Sequence, residues 1–102
     1  MEFFAELSAA SYYHTNKYYF LDGRIAEITS RTDDSLQSFQ EGDKISIKFV
    51  PSSPKEFTWL ANERIVHFKA IRADNKKFPK NGVTKELVVT EARKCVLSLA
   101  KL

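Results

Sequence analysis

Two neighbouring stretches, "KEFTWL" (Lys55 to Leu60) and "RIVHF" (Arg64 to Phe68), hold the side chains best suited to a flat ligand. Read as strands, they put Phe57 and Trp59 on one face and Ile65, His67 and Lys69 on one face of the next, because side chains alternate along a strand. Rings exposed on such a surface stack on nucleic-acid bases, at about 1–3 kcal/mol per base. Lysine and arginine neutralise the phosphates between the bases and make binding salt-dependent. The candidate stacking group is therefore Phe57, Trp59, His67 and Phe68. The candidate backbone-holding cations are Lys48, Lys55, Lys69 and Arg72, with Lys76, Lys77 and Lys80 as a wider rim. On this reading Trp59→Ala weakens binding and leaves the fold largely intact. Plainer readings stand beside it: Phe57 and Trp59 as core packing, His67 as a surface histidine without a task, and the lysine run as a solvated loop.

Other chemistries find less support. His14, His67 and Cys95 are isolated in the chain, without the paired spacing of a metal site. There is no glycine-rich phosphate loop and no serine elbow. Asp33-Asp34 reads as turn-forming, and Cys95 as a small core residue. No enzyme, metal or cofactor is expected.

Charge is unevenly placed. The 102 residues carry a net +3. Residues 1–43 hold three Lys/Arg against eight Asp/Glu, a net of −5, and residues 44–102 hold thirteen against five, a net of +8. The basic part suits a polyanion; equally, the two parts could attract each other within one fold. The lone cysteine allows no disulfide within the chain. With no basic leader and no long uncharged run, an intracellular protein, cytoplasmic or nuclear, without a membrane segment is expected.

Most of the chain reads as strand. "EFFAELSA" opens it with alternating apolar residues. "KYYFLD" and "GRIAEITS" are expected to form a hairpin around Asp22-Gly23, since both turn residues tolerate positive φ. "KISIKFV" alternates, with Ile45, Ile47 and Phe49 on one face and Lys44, Ser46 and Lys48 on the other. "EFTWLA" and "RIVHFKAIR" suggest a second hairpin around Asn62-Glu63, followed by a basic loop, "ADNKKFPKNG". The tail "VTKELVVTEARKCVLSLAKL" fits two strands; Val88, Ala92, Cys95, Leu99 and Leu102 also fit a helical stripe. The expected fold is a single all-β domain over 1–102: a small barrel of five or six strands, with room for an extra hairpin or a C-terminal helix.

The segment "EFTWL…RIVHFKAIRADNKKFPKNG" resembles the cold-shock domain, a five-stranded barrel of the OB type. "KEFTWL" stands at its first aromatic strand motif and "IVHF" (Ile65 to Phe68) at its second, with "IKF" (Ile47 to Phe49) before them and Gly82 at a later strand start. Glu56 and Thr58 replace both glycines of the first motif, and Ile65 replaces the leading aromatic of the second. A second register is also similar to the family: "RIAEITSRTDDSLQSFQEGDKISIKF" as strands three and four, after "FFAELSAAS" and "KYYFLD". Its ring candidates are Tyr18, Tyr19 and Phe20. The resemblance implies a single-stranded RNA or DNA partner. The lost glycines and the acidic first part leave a protein-interaction module as the alternative. Its contacts would lie in the Tyr-rich region 12–20, where the acidic neighbours disfavour phosphate, or along an exposed strand edge. A nucleic-acid mimic acting through the acidic loop 33–43 is a weaker third reading.

Overall fold

The computed structural model describes residues 1–13, 15–31, 36, 38–80 and 82–94. Five strands form a closed barrel: β1 (Glu2–Tyr13), β2 (Tyr18–Ser30), β3 (Lys44–Phe49), β4 (Ile65–Lys80) and β5 (Val83–Lys94). The ring order is β1-β2-β3-β5-β4, closed by β1 against β4. All neighbours are antiparallel except β3 and β5, which run parallel. The expected all-β barrel is therefore present, with five strands. The acidic part (β1, β2) and the basic part (β3, β5, β4) form two contiguous arcs of the ring, which meet where β2 pairs with β3 and where β1 pairs with β4.

Binary pattern explains the core. Phe3, Leu21, Ile47, Phe49, Phe68 and Val89 point inward and are fully buried. Their rings touch in a chain, with Phe3 5.8 Å from Phe68, Phe68 6.4 Å from Phe49, and Phe49 4.7 Å edge-on from Phe57.

Three local expectations are corrected. Asp22-Gly23 is not a turn: β2 runs through it, and the hairpin closes where Tyr13 pairs with Tyr18. Gly23 faces Leu7 at the register shift of β1, and a Cβ there would lie 2.3 Å from the Glu6 carbonyl oxygen. The glycine thus serves close backbone approach at a bulge, where the strand bends.

Second, Lys55–Leu60 is not an aromatic strand. Pro54–Asn62 forms a 3-10 helix, kinked at Phe57, between β3 and β4. Residues three apart eclipse in such a helix. This puts Phe57 and Leu60 on one side, and they pack on the core, Leu60 fully and Phe57 partly buried.

Third, the basic segment 73–80 is strand rather than loop. It pairs with β5 through Asp74↔Glu86 and Asn75↔Lys85, then Lys80↔Val83 beyond a register shift. Tertiary pairing overrides the local breakers Asn75 and Pro79. Val83–Lys94 is one strand, including Val88 and Ala92 of the suggested helical stripe. Cys95 and the rest of that stripe lie outside the described residues, as do His14, Asp33 and Asp34. Among the described residues, no helix is long and apolar enough to cross a membrane.

Candidate functional site

On the outer face of the β1–β2 hairpin, Tyr13, Tyr18 and Phe20 form a cluster of rings. Alternation along β2 sends Tyr18 and Phe20 outward and the intervening Tyr19 inward. Tyr13 pairs with Tyr18 across the hairpin, their ring centres 5.5 Å apart. Phe20 lies 6.2 Å from Tyr13 and 6.4 Å from Tyr18. Tyr19 is buried against Phe49 at 6.0 Å. Burial, with Tyr12 beside it, pushes its phenol above the ordinary value of 10.0.

The cations reach this cluster from the other half of the chain. Lys48 stands opposite Phe20 on β3, and its ammonium lies 4.9 Å from the centre of the Tyr18 ring. The β4–β5 hairpin brings Lys76, whose ammonium is 4.8 Å from the Phe20 ring and donates to Ser46 Oγ at 3.0 Å. That contact explains why Ser46 is 1% exposed although it sits on the polar face of β3. Lys77 lies 5.8 Å from the ring of Phe78, which is 78% exposed. Together these side chains line a groove of about 690 Å³.

The groove changes character at the level of Ser46. Asp22 on β2 and Glu86 on β5 both face Ser46 across the sheet, and both line the groove. Beyond them an adjoining depression of about 390 Å³ is lined by Arg24, Lys44 and Lys76, with Glu6, which pairs with Arg64, at its side. The floor therefore runs from rings and lysines, through two carboxylates, to further cations.

Of the eight residues expected as stacking group and backbone-holding cations, Lys48 alone lines this groove, joined by Lys76 and Lys77 of the expected rim and by Tyr18 and Phe20, ring candidates of the second register. Lys55 lines a separate apolar hollow between the 3-10 helix and the β1–β2 hairpin, beside Tyr12, Tyr19 and Ala61. Phe57 and Trp59 are partly buried against the core, and Trp59 carries the Lys94 ammonium at 5.4 Å. Phe68 is fully buried, so no base can reach it from outside. His67 packs on Phe4 at 4.8 Å, with Thr29 Oγ1 3.3 Å from Nε2. Lys69 is exposed and faces Glu91 and Glu2 on the neighbouring strands. Arg72 pairs with Asp74 at 3.2 Å. These residues do not come together as one surface. Tyr13, Tyr18, Phe20, Lys76, Lys77 and Phe78 do, with Lys48. The sequence signal for them is the outward Tyr18-x-Phe20 pair.

Among the described residues, no group of three or more His, Cys, Asp or Glu stands close enough to hold a metal ion. Comparisons with family models, curated proteins and solved structures found no match for the chain.

Proposed function

We propose that this chain is a binding module for single-stranded nucleic acid, RNA first, built on an OB-type barrel and without catalytic activity. The observation that carries the reading is the cluster of Tyr13, Tyr18 and Phe20 with Lys48 and Lys76 set over two of its rings. The topology supports it. A five-stranded barrel of the OB type binds oligonucleotides on its β2–β3 face, between the β1–β2 and β4–β5 loops. The groove occupies that face.

The energetics favour a ligand over the resting contacts. An exposed ammonium over a ring is worth about 0.5–1 kcal/mol. A stacked base is worth about 1–3 kcal/mol. A base that takes the ring face frees the lysine, which then meets the adjacent phosphate. RNA comes first because single-stranded RNA offers splayed bases to such surfaces.

The test is a titration of fluorescently labelled single-stranded RNA across a series of salt concentrations. The three lysines on phosphates contribute about −2 to the slope of log K against log salt, at about −0.7 per contact. The variant with Lys48, Lys76 and Lys77 all changed to Gln should lose most of the affinity and flatten the slope by about 2. Salt-independent binding, or none by the wild type, would overturn the reading.

A further inference from the structure

The groove is not uniformly suited to a polyanion, and its acidic row defines what can lie there. Asp22, Ser46 and Glu86 occupy adjacent positions on β2, β3 and β5. Glu86 is half-buried and Asp22 exposed. The Asp22 backbone carbonyl accepts a hydrogen bond from Ser8 Oγ. Neither carboxylate has a hydrogen-bond or ion-pair partner among the described residues. The cation at this level is Lys76, which donates to Ser46 Oγ and lies over Phe20.

A phosphate is repelled from the two carboxylates, and Lys76, which lines both depressions, meets it on a flank once a base takes the Phe20 ring. Cations flank the carboxylates on both sides, Lys48 and Lys77 towards the rings, Arg24 and Lys44 beyond. A strand running along the groove would therefore place phosphates on those flanks and a base edge on the carboxylates. Ionised carboxylates only accept hydrogen bonds. A base edge that donates is held there; one that presents an oxygen is repelled. Phe20 is two residues from Asp22 on the same face of β2, so a base stacked on Phe20 turns its edge towards that row.

From this arrangement we infer that the groove selects bases by their exocyclic amino group, preferring cytosine to uracil. The inference rests on the nucleic-acid reading above. The two pyrimidines have the same ring size, so stacking on Phe20 does not separate them. They differ where cytosine carries the N4 amino group and uracil the O4 oxygen. Asp and Glu read cytosine by accepting from that amino group.

The experiment compares labelled oligo(C) and oligo(U) of equal length at neutral pH. The proteins are the wild type and the double variant Asp22→Asn, Glu86→Gln. The wild type should bind oligo(C) about tenfold more tightly, the scale of one well-placed base contact. The variant replaces each carboxylate by an amide that also donates, so uracil O4 gains a partner. Its preference should fall to near parity, chiefly by tighter binding of oligo(U). Equal binding of both oligomers by the wild type would overturn the selection and leave the groove reading standing. So would an unchanged preference in the variant. Binding of neither oligomer by the wild type would overturn both.

Discussion

Phe49→Ala is expected to cost the fold about 3–5 kcal/mol, the usual range for truncating a fully buried phenylalanine. Phe49 ends β3 and is 0% exposed. Its ring touches Tyr19 at 6.0 Å, Phe57 at 4.7 Å and Phe68 at 6.4 Å. It thus links the β1–β2 hairpin, the 3-10 helix and β4. Removing it empties the centre of the barrel and takes away the surface on which the helix rests. For a domain of this size, each kcal/mol moves Tm by about 4–8 °C, so a fall of roughly 15–30 °C is expected in a thermal melt. A fall of only a few degrees would mean that the barrel centre is packed by other side chains.

Phe20→Ala should have the opposite profile. Phe20 lies on the outer face of β2, at the groove rather than the core. Loss of one stacking ring costs about 1–3 kcal/mol of binding, or roughly 5- to 150-fold in affinity for single-stranded RNA. The melting temperature should stay within a few degrees of wild type. Adding Tyr18→Ala should weaken binding further, since its ring lies 6.4 Å from that of Phe20. Trp59→Ala makes the contrast. Trp59 packs against the core at the 3-10 helix and does not line the groove, so binding should persist. If Trp59→Ala abolished binding in a folded protein and Phe20→Ala did not, the site would have to move to the helix.

What was legible follows from the range over which each signal acts. The alternation of "KISIKFV" is local, and β3 carries Ile45, Ile47 and Phe49 inward as it implies. The barrel class was legible in the same way, from many short alternating runs. Asp22-Gly23 misled because its composition suits a tight turn and a bulge equally. The choice was made by the Glu6 carbonyl, seventeen residues before Gly23 in the chain. "KEFTWL" misled because apolar residues at 57 and 59 fit a strand, while 57 and 60 fit a 3-10 turn. The prolines at 51 and 54 and the packing surface of Phe49 favour the second.

The candidate site was harder still. Its rings lie in the acidic part of the chain and its lysines in the basic part. Judged by sequence neighbours, Tyr13 and Tyr18 sat among acids and looked unsuited to phosphate. The antiparallel pairing of β2 with β3 brings Lys48 onto Tyr18, and the parallel pairing of β3 with β5, with the reach of the β4–β5 hairpin, brings Lys76 onto Phe20. No local pattern encodes that meeting. The half-and-half charge distribution is its trace, since the acidic and basic arcs of the ring meet where β2 pairs with β3 and Phe20 stands opposite Lys48.

The most direct measurement is a map of backbone amide chemical shifts as single-stranded RNA is added to the isotope-labelled protein. The account predicts the largest changes at Tyr18–Asp22, Ser46–Lys48 and Lys76–Phe78, with Phe57, Trp59 and Phe68 little moved. Changes confined to Lys55–Trp59 and His67–Arg72, or none at saturating RNA, would contradict it.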